Sequence, residues 1–422
     1  MSVGVKRGSV REASDYNTRI AAVGQELAAA FEALLQAMPE QPRRPQTLAR
    51  ILDIDKSVSH RLVTAIRKAD PLATAHVIPG PGPLRRIAQA ARKRRVPVSV
   101  AQRVDDAIGA FEALIHHEGG DRSSLDAIIS ASLPSAREEY QKLAKRTLHR
   151  GARQLKGTYA HVHFTADLLH PSGRAGWCDL AVLQGFLGLR RVHPEATLRL
   201  GILAGSANCA ARQCTMEREP IADAQQVLWH PYCSQPEVEL TIHRFSGSDV
   251  QVYELAWGNA VGADSVRDVV MRSLTTEATR RRRSTDDPRQ QAAVTEFVIV
   301  PARTLVFDVL LHEDVYRETP PQLLIREMGA LGWSDPNDRT RDLDVLPLRE
   351  TVESLGTGVK RFRVDEIPHY IDMLEEVCQT LGWDSRKFRG YRSRIDFPIL
   401  GTEVQYVLDV PIEPSSSPTG PG

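Results

Sequence analysis

Thr47-Leu48-Ala49-Arg50-Ile51-Leu52-Asp53-Ile54-Asp55-Lys56-Ser57-Val58-Ser59-His60-Arg61-Leu62-Val63 is the stretch on which the reading of this chain turns. Leu48, Ala49 and Leu52 share one helical face, and Ala49 is small where a second helix must cross closely. Asp53 falls where the connecting turn needs a residue that tolerates positive φ; glycine is cheapest there, with Asp and Asn next. Ile54 is the apolar plug of the turn, and Asp55 can cap the following helix by accepting hydrogen bonds from its free N–H groups. In that helix Val58, Leu62 and Ile66 recur every four residues and face the core, which turns Lys56, Ser57, His60, Arg61 and Thr64 outward. Such side chains reach base edges and phosphates, so the pair reads as a helix-turn-helix with Lys56 to Ile66 as the helix that enters the major groove. A helical hairpin used for packing or protein contact is the plainer alternative.

The charge around this stretch supports the first reading. From Gln41 to Val100 thirteen bases face three acids, an excess of +10. The whole chain carries a formal charge of only +1, so the remainder is acidic by about −9. Such asymmetry points to a nucleic-acid surface on one part of a protein, although a solvated basic face has the same signature. Arg43 and Arg44 precede the motif, and a basic helix over Leu84 to Arg95 brings Arg85 and Arg86 as further candidates for the phosphate backbone.

The motif resembles the N-terminal DNA-binding module of the IclR family of bacterial regulators. The resemblance spans about residues 46 to 66 and rests on Leu48, Ala49, Lys56, Ser57, His60, Arg61 and Leu62. It implies that Lys56, Ser57, His60 and Arg61 contact DNA. The chain departs from the family pattern at Asp53, which stands for the turn glycine, and at Ser59, where an apolar residue is usual. No two-stranded wing follows Asp70; Pro71 to Ile78 reads as one strand before the Pro79-Gly80-Pro81-Gly82-Pro83 turn. The C-terminal half does not match that family's effector domain.

At 422 residues the chain exceeds one core, and the predicted class is multi-domain: an all-α N-terminal region followed by an α+β C-terminal region. Helical spacing runs from a cap at Ser14 or Asp15 to about Met38, and again over Val100–His117, Ser123–Ala131 and Ser135–Arg150. Strand signals begin at Tyr159–Phe164 and Thr197–Leu203. Val238–Phe245 and Val250–Trp257 flank a Ser246–Asp249 turn as a hairpin, and Ile395–Leu400 with Val404–Leu408 suggest another around Gly401. Phe297–Val300 and Leu305–Leu311 add strands, with a helix over Asp365–Leu381. The divisions expected are a DNA-binding domain over 1–98, a helical connector over 99–155, an effector or dimerisation domain over 156–412 and a disordered tail over 413–422.

Other clusters carry less. Cys209, Cys214, His230 and Cys233 have donors that zinc favours, at looser spacing than a zinc knuckle; cysteine also serves as a small buried apolar residue. His161 and His163 fall on one face of a strand, which suits a metal or two surface or partly buried histidines. His116-His117 ends a helix and complements its dipole. Arg280 to Arg283 could bind phosphates or an acidic partner, or form a solvated loop. No nucleophile elbow, phosphate-binding loop or His-Glu-x-x-His motif is present.

The sequence therefore predicts a cytoplasmic, non-enzymatic transcriptional regulator without cofactor or metal. It would bind double-stranded DNA as a homodimer, because one short recognition helix gives limited affinity, and take a small-molecule or protein effector. No apolar run suits a membrane span or a secretory signal. The rival reading is an enzyme or small-molecule-binding protein acting through the C-terminal α+β region, with the helical region for oligomerisation. A scaffold using the Arg280–Arg283 loop is a third.

Overall fold

Proline and aspartate punctuate the helical half of the chain. The computed structural model describes residues 8–40, 42–203, 212–234, 238–244, 251–256, 258–317, 320–329 and 332–413. It divides into two units, Met1–Leu143 and Ala144–Gly422. The expected class holds: helices throughout the first part, sheets with a helix in the second.

In the first unit α1 (Gly8–Ala37) shares one core with α2 (Pro45–Leu52), α3 (Lys56–Ile66), α4 (Pro71–Val77), α5 (Pro81–Arg92), α6 (Val98–Leu114) and α7 (Arg122–Ser132). Ile20, Leu27, Phe31 and Leu34 on α1 form one buried stripe and share a core with Leu48, Leu62, Ile87, Phe111 and Leu125. Asp53 ends α2 in the left-handed region at φ 50°, and Asp55 caps α3 by accepting from Ser57 N–H at 2.6 Å, as the turn chemistry requires. Pro71–Ile78 is not a strand. Asp70 accepts from Leu72 N–H at 2.9 Å, Pro71 opens the first turn, and α4 results. Gly24 lets α4 approach α1, since a Cβ there would collide with the Pro71 carbonyl oxygen. α1 begins upstream of Ser14 and Asp15, so neither caps it.

The second unit opens on α8 (Pro134–Lys156), which spans the boundary between the units. Its strands are β1 (Thr158–Pro171), β2 (Trp177–Arg191), β3 (Leu198–Leu203), β4 (Arg212–Cys214), β5 (Glu239–Arg244), β6 (Gln251–Ala256), β7 (Arg267–Arg280), β8 (Gln291–Phe297), β9 (Ala302–His312), β10 (Gln322–Glu327), β11 (Glu353–Thr357), β12 (Phe388–Asp396) and β13 (Thr402–Asp409), with α9 (Tyr370–Leu381) before β12. Seven strands form the main sheet in the order β11-β12-β9-β1-β2-β7-β4, antiparallel except for the β1–β9 pair. Two three-stranded sheets, β10-β13-β8 and β3-β6-β5, accompany it. The β5–β6 pair is the expected hairpin, though its turn, 246–249, lies outside the described residues, as do Cys209 and the tail beyond Glu413. β12 and β13 are not a hairpin: β12 pairs with β9 and β11, whereas β13 lies between β10 and β8. Phe397 at φ 53° and Gly401 at φ 82° carry the chain from one sheet to the other.

Alternation along the strands sorts the main sheet into two buried faces. On one, Phe164, Ala166, Leu168, Val306 and Leu310 pack under Met373, Leu374 and Val377 of α9. Gly185 belongs there too, for a Cβ would strike the Phe164 ring. Arg392 on that face donates to both oxygens of Asp308 at 2.8 and 2.6 Å, and Tyr370 Oη donates to Asp308 at 2.6 Å. Burial lowers the Arg392 pKa, but the Asp308 bonds outweigh it and leave the guanidinium above its ordinary value. On the other face Leu305, Phe307 and Val309 meet Val404, Tyr406 and Leu408 of β13, while Phe186 and Met271 meet Leu200, Tyr253 and Leu255 of the β3-β6-β5 sheet. A cluster of polar side chains interrupts this second face beside β1.

Candidate functional site

The interruption is built by β1. His163, Thr165 and Asp167 alternate onto the second face and are 0%, 1% and 4% exposed. Register places Phe186 opposite His163, Gln184 opposite Thr165 and Val182 opposite Asp167 on β2, with Ser273 of β7 next to Val182. Glu296 arrives from β8, buried at 6% exposure. Gln184 Nε2 lies 3.0 and 3.1 Å from the two Glu296 oxygens, and His163 Nε2 lies 3.2 Å from one of them. His163 is stacked on Phe186 with ring centroids 4.3 Å apart, so its orientation is fixed by packing as well as by Glu296.

A cavity of about 500 Å³ opens here, with Thr165, Asp167, Gln184, Ser273 and Glu296 among its walls. Its volume is that of a small-molecule site. Glu296 is held by Gln184 and His163, whereas Asp167 has no hydrogen-bond partner among the described residues, and neither has Thr165 Oγ1. Burial pushes the Asp167 carboxyl well above its ordinary range, and the nearby Glu296 charge pushes it further in the same direction. Asp167 therefore holds a proton under conditions where surface aspartates have lost theirs. One wall is a loop strapped to β13: Glu403 accepts from Ser334 N–H at 3.1 Å, and Gln405 Nε2 donates to Ser334 O at 2.9 Å and Thr295 Oγ1 at 3.2 Å.

Among the described residues His312, Glu313 and Asp314 bring ligand-type atoms within 4.8 Å of one another, a spacing that can hold a metal ion. They sit where β9 ends and do not line the cavity. Lys387 lies 2.7 Å from Glu313, Arg317 lies 2.6 Å from Asp314, and His312 Nδ1 accepts from Asp314 N–H at 3.2 Å. An ion there would compete with two cations already in place.

The residues singled out for DNA are placed as follows. Lys56, Ser57, His60, Arg43, Arg44 and Arg86 are exposed, and Thr64 is half-buried. The Arg61 guanidinium is tied to the end of α4, donating to Val77 O at 3.1 Å and Ile78 O at 3.2 Å. Arg85 forms a two-bond pair with Glu112, Arg92 pairs with Asp105, and Arg94 pairs with Glu40 and donates to Ile51 O. Ser59, out of pattern for the IclR family, is fully buried, and its hydroxyl donates to Pro45 O, pinning α3 to the start of α2. Of the clusters set aside earlier, Cys214 is buried and Cys233 half-buried, with burial raising both thiols; His161 is exposed while His163 is wholly buried, so they do not form a pair.

No protein-family model matches the chain, and no curated protein matches it. Among solved structures it is similar to native leukotriene A4 hydrolase from Saccharomyces cerevisiae, at 10% identity and a TM-score of 0.23, a likeness too slight to carry an argument. The match covers 63% of this chain and 31% of that one, so the chain spans about a third of the hydrolase's length.

These findings correct the DNA-binding regulator reading and the IclR resemblance behind it. The helical pair forms, but it serves the core of the first unit, a helix replaces any wing, and part of the basic excess is neutralised by acids from outside the basic stretch. Double-stranded DNA is withdrawn as partner, and with it the homodimer, which was inferred from paired half-sites. The expectation of a non-enzyme is overturned as well: a His312-Glu313-Asp314 group with metal-ligand spacing and a cavity floored by buried carboxyls are equipment for chemistry in the second unit. Sequence reasoning missed Asp167, Glu296 and Gln184. The available signal was the run of polar residues at alternate positions, His163, Thr165 and Asp167, in an otherwise apolar strand.

Proposed function

We propose that this protein is an enzyme acting on a small molecule through the α+β region, within the 156–412 segment, with the cavity beside Asp167 as its site. The observation that carries the reading is the Asp167 carboxyl: buried, without a partner, facing a cavity and beside a second carboxyl held in place by Gln184 and His163. Burying a polar group without a partner costs roughly 1–3 kcal/mol, a cost that a bound ligand able to hydrogen-bond would remove. A carboxyl raised by burial, beside a second one held by hydrogen bonds, suits general acid–base work. Asp167 keeps its proton and can give it to an atom of the substrate. Glu296, oriented by two donors, can accept a proton or fix a substrate hydroxyl. Among the described residues no helix is long and apolar enough to cross a membrane. Free thiols at Cys178, Cys214, Cys233 and Cys378 accord with a cytoplasmic setting.

Native mass spectrometry after incubation with a small-molecule cell extract tests the reading. Discrete adducts are expected on the wild type and none on Val182→Trp, which fills the cavity beside Asp167 while leaving both carboxyls in the chain. Adducts that persist in the filled variant refute it. A second reading rests on the His312-Glu313-Asp314 spacing: a divalent cation there would have to displace Lys387 and Arg317. Zinc or manganese bound by the wild type and lost in His312→Ala would support it; equal metal content in both forms would exclude it.

A further inference from the structure

The cavity is polar at both ends, and the two ends differ in charge. Its mouth lies where β2 begins and β7 finishes, at Trp177 and Arg280, which face each other across the ladder. Arg280 lies over the Trp177 ring at 4.9 Å. Arg283 donates to two backbone carbonyls, Val410 O at 3.1 Å and Ser284 O at 3.4 Å, contacts that use its hydrogens and leave its charge unanswered. Arg289 also lines the cavity and is exposed. Among the described residues none of these three arginines forms an ion pair, whereas Arg386, Lys387, Arg392 and Arg394 of the same unit are each matched by a carboxylate. The acids near the mouth do not cancel them. Among the described residues Asp335 is the one carboxylate lining the mouth, against three arginines, so positive charge stays in excess there.

The floor is the reverse case. Glu296 is answered by His163 and Gln184, and Asp167 and Thr165 present unpartnered polar atoms beside Ser273. Leu180, Val182 and Val294 make the wall between the two ends apolar. Along β2 the level of Asp167 is Val182 and the level of Arg280 is Trp177, which a strand's rise of ~3.3 Å per residue separates by roughly 16 Å. Arginine side chains reaching inward shorten that span.

We infer that the ligand is an elongated organic anion, its carboxylate or phosphate held by Arg280, Arg283 and Arg289 and its uncharged, oxygen-bearing end against Asp167. This rests on the cavity being the site. The arginine fork matches either anion in geometry, a protonated Asp167 donates to a carbonyl or hydroxyl oxygen, and the apolar wall takes the carbon chain between them. A cation at the floor would need Asp167 ionised beside Glu296, in surroundings that oppose it.

Titration calorimetry with octanoate, octyl phosphate, octanol and octylamine tests the assignment. The anions should bind the wild type at least about tenfold more tightly than octylamine, a difference of ~1.4 kcal/mol. The better of octanoate and octyl phosphate identifies the head group. Arg280→Gln with Arg289→Gln should lower affinity for both anions at least about tenfold and weaken its salt dependence, Arg283 remaining. Octylamine binding as tightly as octanoate, or a double variant that binds anions like the wild type, overturns the assignment. If octylamine or octanol binds instead and Val182→Trp blocks it, the anion class is wrong while the cavity remains the site. If no probe binds, or Val182→Trp blocks nothing, the cavity reading falls and takes the assignment with it.

Discussion

Replacing Asp167 by Asn leaves the shape of the cavity floor unchanged and removes one titration from the folded protein. Burial and the Glu296 charge raise the Asp167 pKa in the folded state, whereas the unfolded chain has the ordinary value near ~3.9. Between those two values the native state binds a proton that the unfolded state has released. Unfolding therefore becomes easier as pH rises through that window: the stability tied to the proton is complete below the unfolded pKa and lost as pH passes the folded one. Each pH unit inside the window costs the wild type up to about 1.4 kcal/mol, and the Asn variant is spared that cost. The variant's own penalty, a buried amide in place of a buried acid, does not depend on pH. It shifts the whole curve by a constant, so the slope of the difference is the quantity to read.

The measurement is simple because all five tryptophans lie beyond residue 144, so their fluorescence reports the second unit alone. Urea unfolding followed at a series of pH values should show Asp167→Asn gaining on the wild type as pH rises above the unfolded value, until pH passes the folded one. A unit of this size moves ~2–4 °C in Tm per kcal/mol, so melting curves resolve the same trend. Glu296→Gln removes the Coulombic part of the shift and should end the gain at lower pH, without reversing its sign. A difference between Asp167→Asn and wild type that is flat across the range would mean that Asp167 is ionised and solvated. The reasoning about the cavity would then be wrong at its base.

Three further outcomes follow from the packing. Arg392→Met strands Asp308 behind the Tyr370 hydroxyl and should cost ~3–5 kcal/mol by urea unfolding, with Asp308→Asn in the same chain restoring much of it; a loss below about 1 kcal/mol would show that the pair is not buried as described. Gly185→Ala drives a methyl group into the Phe164 ring and should destabilise the second unit by ~1–3 kcal/mol, with partial recovery on adding Phe164→Leu; unaltered tryptophan-detected stability would refute the contact. Ser59→Ala leaves Pro45 O without its donor in the core of the helical unit and should cost ~1–2 kcal/mol, read by the loss of helical circular dichroism on heating. A stabilised variant would mean that an apolar residue suits that position better.

Local structure was readable in the helical half because its determinants are local. Asp53 in the left-handed region and Asp55 as a cap depend on neighbours within a few residues. Asp70 and Pro71 are start signals of the same local kind for α4, and reading Pro71–Ile78 as a strand passes over them. Function was misread there for the opposite reason. The basic excess between Gln41 and Val100 is a property of composition, and its neutralisation by Glu112, Asp105 and Glu40 is a property of packing. Arg61 shows the difference most clearly: an outward position on a helix wheel is not a free side chain when the end of the next helix lies beneath it. Counting bases in a window cannot distinguish a surface that waits for phosphate from one that has already found its carboxylates and carbonyls.

In the second unit the limit was different. β1 is covered on both faces, so Val162 to Leu169 is buried without a gap and the alternation that identifies a half-buried strand disappears. What alternates instead is polarity within the buried set, and it marks the candidate site. His163 and Asp167 lie on one strand, but Glu296 comes from a different sheet, so their grouping depends on the stacking of sheets and on nothing that spacing along the chain reports. The same topology explains the false hairpin around Gly401: β12 and β13 are adjacent in sequence, yet the left-handed turns at Phe397 and Gly401 send them to opposite sheets. Tyr406 of β13 then packs against Phe307 of the main sheet, and Gln405 braces the cavity wall. Had β12 and β13 paired with each other, Glu403 and Gln405 would not hold the Ser334 loop and the cavity would lose that wall. The placement of one strand thus decides whether Asp167 is an awkward buried acid in a closed core or a proton donor facing a space that a ligand can enter.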